Sequence, residues 1–135
     1  MLNSKKIISS LLLFVITLFA APAFAQTYWG AAYINPETGI AGGSSDAATE
    51  DEAERIALGS CANKHGGDGK KCRHLVTFYN GCAAILWSPV NKTYGSGVDG
   101  VGTHNAIARG YDECKSRGGK DCEIVLEFCT TRILY

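Results

Sequence analysis

The chain has 135 residues, 13 basic and 13 acidic side chains, a formal net charge of zero and six cysteines. That length holds one compact domain once a leader is set aside, and too little for two. The balanced charge shows no basic stripe, which argues against nucleic acid as a partner.

Residues 1–25 read as a secretory signal peptide: Lys5 and Lys6 stand before an apolar stretch from Ile7 to Ala20, and Ala23-Phe24-Ala25 makes a small-x-small cleavage site. The apolar stretch is shorter than the ~20 residues that span a bilayer, so no membrane insertion is expected after cleavage. Residue 26 is Gln and not Cys, so a lipid-modified N-terminus is not indicated. Loss of Lys5 and Lys6 leaves 11 basic against 13 acidic side chains, a formal charge of −2. The expected product is periplasmic or secreted, with one disulfide-linked domain over residues 26–135.

All six cysteines lie in that part. An even count in a small exported chain reads as a disulfide framework. Zinc is the competing use of thiols, but there is no Cys-x-x-Cys pair and no close Cys/His cluster, so no metal is expected.

In chain order, "GAAYINPETG" opens with an apolar strand run followed by Asn35-Pro36, a turn signal. A Gly-rich segment follows, then "TEDEAE" at 49–54, where Thr49 and Glu52 have capping-box spacing and the acids suit a helix N-terminus. Ala53, Ile56, Ala57, Ser60 and Cys61 recur at three- and four-residue spacing, a narrow helix face of small side chains. The loop "NKHGGDGKK" leads to "CRHLVTFY", a strand rich in β-branched and aromatic residues.

The same order then returns. Shifting the chain by 53 positions sets Ala53 on Ala106, Ala57 on Gly110 and Cys61 on Cys114. "AAILWSPVNKTYG", a second helix, the loop "KSRGGKD" and "CEIVLEFC" repeat the first half. The predicted fold is α+β: a tandem duplicated ββαβ unit, about 28–81 and 82–132, forming a mainly antiparallel sheet with two helices on one side.

Residues 95–100, "GSGVDG", match Gly-x-Gly-x-x-Gly. A dinucleotide site also needs parallel strands and an acid about twenty residues on, at a strand end. Asp121 falls instead in a glycine loop, and the matching segment of the first half, "IAGGSSDAATE", lacks the pattern. No cofactor is expected. The glycines read as a bend from sheet to helix, with Thr103 as the helix cap.

The duplication narrows the fifteen possible disulfide connectivities. If both halves share a fold, each helix-end cysteine pairs with the strand-start cysteine of its own half: Cys61 with Cys72, and Cys114 with Cys122. Cys82 and Cys129 then pair by elimination.

No catalytic constellation stands out. His65, His74 and His104 sit in separate settings, and Ser96, Asp99 and His104 share one short segment, whereas triads converge from separate elements. Among Asp112, Glu113, Glu123 and Glu127 no spacing selects a glycosidase pair. The aromatic residues Trp29, Tyr33, Phe78, Tyr79, Trp87, Tyr94 and Tyr135 are many for so small a sheet. They serve either as core or as an exposed binding surface, and Trp29, Trp87 and Tyr94 are the candidates for the latter.

"YWGAAYINPETG", the cysteine-ended helices and Asn80-Gly81-Cys82-Ala83-Ala84 together resemble the bacterial family called domain of unknown function 4189, over residues 28–130. The resemblance implies export, a duplicated α+β architecture and disulfides, and carries over no catalytic residues. Roles in host interaction or antibacterial competition among such proteins imply a protein partner. The long loop "NKHGGDGKK" and the tail "TTRILY" depart from the pattern. The expectation is an exported, non-enzymatic binding protein, such as an immunity protein or inhibitor of a toxin or cell-wall hydrolase. The rival is a small secreted enzyme or effector acting on cell wall or a host component.

Overall fold

A computed structural model describes residues 27–64 and 67–131. The leader, His65 and the end of the tail, Tyr135 included, lie outside the described residues. The elements are β1 (Trp29–Ile34), β2 (Ala41–Ala47), α1 (Glu50–Lys64), β3 (Arg73–Tyr79), β4 (Cys82–Trp87), β5 (Tyr94–Asp99), α2 (Thr103–Ser116) and β6 (Glu123–Cys129), with a short 3-10 turn at Gly69–Lys71. The 53-residue shift carries the first residue of β1, β2 and α1 onto the first residue of β4, β5 and α2. The last strands are offset by 50, because the stretch from the helix-end cysteine to the strand-start cysteine is three residues shorter in the second half.

The duplicated unit is present, but each half builds its own sheet. One has the order β2-β1-β3 and the other β5-β4-β6, all neighbours antiparallel. On β1, Ala31 and Tyr33 face α1, whereas Ala32 and Ile34 face the other way into the main core. On β4, Ala84 and Leu86 face α2, and Ile85 and Trp87 enter that same main core. The two sheets therefore stack face to face, and each carries one helix on its outer face. Val76, Val125, Leu126 and Phe128 complete the layer between them. Phe78 and Phe128 meet across it with ring centroids 5.6 Å apart. Where one sheet with two helices on one side was expected, four layers form, because β1 and β4 each have two apolar faces and a single-sided sheet would leave one wet. Burying each of Ile34 and Ile85 stabilises this core by ~1.5–3 kcal/mol.

The glycine segments are strands, which corrects the expected bend. "YGSGVD" is β5, hydrogen-bonded to β4 from Cys82↔Asp99 to Trp87↔Tyr94. Its glycines let a helix backbone come close: a Cβ on Gly95 would lie 2.4 Å from the Cys114 nitrogen, and one on Gly97 1.9 Å from the Ala106 oxygen. Thr103 is the first helical residue of α2, and the cap position falls to Gly102, with no side-chain cap. Instead Asp99 accepts hydrogen bonds from the backbone N–H of Val101 (2.9 Å) and Gly102 (3.2 Å) just ahead of the helix. At α1 Thr49 caps as expected, its Oγ1 accepting from Glu52 N at 3.2 Å, while Glu52 reaches one residue further back than in a capping box, to the N–H of Ala48.

All three disulfides follow the pairing drawn from the duplication: Cys61–Cys72, Cys82–Cys129 and Cys114–Cys122. All six thiols are consumed. Cys61–Cys72 and Cys114–Cys122 each tie the back of a helix to the start of its last strand. Cys82–Cys129 joins a directly opposed pair on β4 and β6.

Candidate functional site

The two halves superpose in architecture, so the places where they differ chemically are informative. On its helix-facing side, β1 opposes Trp29 to Tyr79 and Tyr33 to His74 across the ladder with β3, and Thr77 stands opposite Ala31. α1 seats Ala53 and Ala57 over β1 and β2. The β3 side of that face is thereby left partly open.

The result is a shelf of rings and polar groups beside α1. Trp29 and Tyr79 lie with centroids 5.3 Å apart, and Tyr79 is 56% exposed. Tyr33 meets the His74 ring edge-on at 5.3 Å. From α1, Glu54 leans over β3: the Thr77 hydroxyl donates to Glu54 Oε1 at 2.8 Å and lies 2.7 Å from His74 Nε2. His74 Nε2 is 3.7 Å from the same carboxylate oxygen. Burial raises the Tyr33 pKa above 10.0, and the nearby Glu54 charge adds to it, since both disfavour a phenolate. The phenol stays a neutral hydrogen-bonding group at physiological pH.

In the second half the corresponding positions hold different chemistry. Cys82 and Cys129, joined by a disulfide, replace Trp29 and Tyr79; Leu86 and Ile124 replace Tyr33 and His74; Ile107 replaces Glu54; Glu127 replaces Thr77. What is a covalent and aliphatic seam there is a display of aromatic and polar groups here. The matching unit reaches the same fold with other groups, the Cys82–Cys129 bridge among them.

Of the three aromatic candidates, the structure places one on this shelf. Trp29 is its end member, half-buried. Trp87 is taken into the core, which corrects its expected place on the surface: it is 8% exposed, its indole N–H donates to the Pro36 carbonyl at 2.7 Å, and Lys92 lies 4.9 Å above the ring. It fills the space where the second sheet meets the first half's β1–β2 turn. Tyr94 is half-buried beside it in register, packed on the core between the sheets and covered by Arg117 at 5.2 Å. Tyr33, His74 and Tyr79 were legible singly in the sequence. Only the 53- and 50-residue shifts, applied position by position, mark them as a set that departs from its counterpart.

The other polar candidates stay apart. Asp99 is buried and committed to its two backbone N–H groups and to Arg109 at 3.4 Å. The Val101 N–H bond holds its carboxyl below the usual carboxylate value against the opposing effect of burial, with Gly102, Arg109 and Asn105 also lowering it. His104 is exposed at the start of α2, and Glu113 pairs with Arg117 at 3.0 Å. Among the described residues no three His, Cys, Asp or Glu side chains gather as a metal site, and no helix is long and apolar enough to cross a membrane.

No curated protein and no solved structure matches the chain. The model of the family described as domain of unknown function (DUF4189) matches residues 29–129, from the first residue of β1 to the last of β6. Since that match takes in both ββαβ units and all three disulfides, the chain belongs to the DUF4189 family.

Proposed function

We propose that this is an exported, non-enzymatic binding protein that works as a periplasmic immunity or inhibitor protein, neutralising a toxin or cell-wall hydrolase. The observation that carries the reading is the Trp29–Tyr79 pair, half-buried Trp29 beside exposed Tyr79, set where the second half has the Cys82–Cys129 bridge. Exposed Trp and Tyr beside polar groups supply large contact area at little entropic cost, the usual make-up of binding hot spots. Three disulfides hold that surface rigid, which lowers the ordering cost of association. The leader and the disulfides support export.

The experiment is affinity capture from periplasmic extract with the native chain and with the Trp29→Ala/Tyr79→Ala variant, followed by assay of the captured protein's hydrolytic activity. One stoichiometric partner, inhibited by the native chain and bound at least ~30-fold more weakly by the variant, is expected for loss of a hot spot worth ~2 kcal/mol. Capture that the double substitution leaves unchanged overturns the reading.

A second reading, a small secreted enzyme, is favoured by one feature. The Thr77 hydroxyl stands between an imidazole and a carboxylate, as an activated nucleophile would. Peptidoglycan turnover by the purified chain that Thr77→Val abolishes would establish it in place of the first.

A further inference from the structure

We infer that the cleft between the β1–β2 turn and the Gly69–Lys71 turn binds a small molecule carrying two or more oxyanion groups, carboxylate or phosphate. This site is separate from the aromatic shelf and does not depend on its function.

The two halves differ here as well. In the second half, the turn after β4 is sewn to the loop after α2: Ser88 Oγ donates to the Lys120 carbonyl, Asn91 Nδ2 to the Gly118 carbonyl, and Lys120 N to Asn91 Oδ1 at 3.2 Å. Cys114 and Cys122, eight residues apart, hold that loop short. In the first half the bridged cysteines are eleven apart. The longer loop winds into a 3-10 turn, and a cleft of about 480 Å³ lies between it and the β1–β2 turn. That volume falls in the ~300–1,000 Å³ range of small-molecule sites and exceeds the needs of a single ion.

Three cations line the cleft: Lys70, Lys71 and Arg73. The ion pairs among the described residues are His74–Glu54, Arg109–Asp99 and Arg117–Glu113, so none of the three cations is engaged in one. Lys71 and Arg73 flank Cys72, whose bridge to Cys61 anchors this strand start to α1. Arg73 is also held in the ladder opposite Ile34. The cations therefore stand on fixed backbone, and a guanidinium offers the fork that carboxylate and phosphate match. Two carboxylates stand on the rim against the three cations: Asp68, which accepts the Lys70 N–H at 3.0 Å to cap the turn, and Glu37, exposed on the opposite turn, so both oppose an anion. They set the threshold: a single negative charge gains little over them, whereas two or more gain from all three cations.

The test is amide-resolved NMR titration of the disulfide-bonded chain at low salt with citrate, with pyrophosphate, and with maltose as a neutral molecule of similar size. At least one anion should give saturable shifts confined to residues 35–38 and 68–73, weakening as salt is added. Tighter citrate binding assigns the carboxylate source, and tighter pyrophosphate binding the phosphate source. Lys70→Gln/Lys71→Gln/Arg73→Gln should weaken the anion by about tenfold or more, and Glu37→Gln should tighten it severalfold. Should the triple variant fail to fold, the Glu37→Gln gain decides alone. No saturation with either anion, equal binding of maltose, or an affinity indifferent to these substitutions overturns the assignment.

Discussion

Gly97→Ala probes how closely α2 sits on its sheet. The added Cβ would lie 1.9 Å from the Ala106 carbonyl oxygen and 2.7 Å from the Gly110 nitrogen, both helix backbone atoms that no rotamer change can move. Ordinary contact begins near 3.4 Å, so α2 must retreat by about 1.5 Å, loosening Ala106 and Cys114 from Ala84 and Leu86. Overpacking of this kind costs ~1–3 kcal/mol and occasionally more, and rigid backbone on both sides places this case near ~3 kcal/mol. For a domain of about 100 residues that lowers Tm by roughly 12–24 °C. Urea and thermal unfolding of the oxidised chain, followed by far-UV circular dichroism, measure it. Gly59→Ala is the control: nothing lies within 4 Å of that Cβ, and the site is inside α1, so the same chemical change should stabilise by ~0.5–1 kcal/mol. In the first half the position matching Gly97 is Ser44, whose hydroxyl donates to the Ala53 carbonyl at 2.5 Å. Ser44→Gly should therefore cost only ~1 kcal/mol, one hydrogen bond. A Gly97→Ala variant within ~0.5 kcal/mol of the parent, at unchanged m-value, would refute the backbone-to-backbone seating of α2.

Loop closure ranks the disulfides. Replacing Cys82 and Cys129 by Ala, which opens a 47-residue separation, should cost about 4 kcal/mol, and replacing Cys114 and Cys122, eight apart, about 2.5 kcal/mol; denaturation of the two double variants checks the order. Because the folded pKa of Tyr33 is raised, its contribution to stability is intact below pH 10.0 and lost as pH rises through the folded value; tyrosinate absorbance should show a late-titrating phenol that Glu54→Gln brings partway back. Asp99 has the opposite sign. Its folded pKa is depressed, so its contribution is present above ~pH 4 and lost as pH falls through the folded value, and Asp99→Asn should flatten the acid limb of the stability profile.

Element order, the duplication and the sulfur pairing were legible in the sequence because they follow from spacing along the chain. Cys61 and Cys114 end helices at matching positions, and the strand-start cysteines follow in each half, so a shared fold leaves one consistent pairing. Thr49 and Glu52 announced the start of α1 in the same local way. In sequence the glycines of β2 and β5 mark a bend that follows a short strand, since local propensity disfavours glycine in strands. What overrides propensity there is a helix from farther along the chain pressing on a surface only glycine leaves open.

The site was less legible for a related reason. Period-two alternation shows that neighbouring residues of a strand point to opposite faces, but not which face another element covers. Trp87 and Trp29 look alike in sequence. Trp87 is buried because the first half's β1–β2 turn closes over it, from which Pro36 takes its indole N–H. Trp29 stays partly open because α1 seats on β1 and β2 and stops short of β3. The chain alone thus determined two copies of one stapled unit. Their stacking decided that Trp87 is buried, through a contact between segments about fifty residues apart. Within the first copy, the seating of α1 left Trp29 partly open and the longer stretch between Cys61 and Cys72 opened a cleft against the β1–β2 turn, because each depends on contacts between segments distant along the chain.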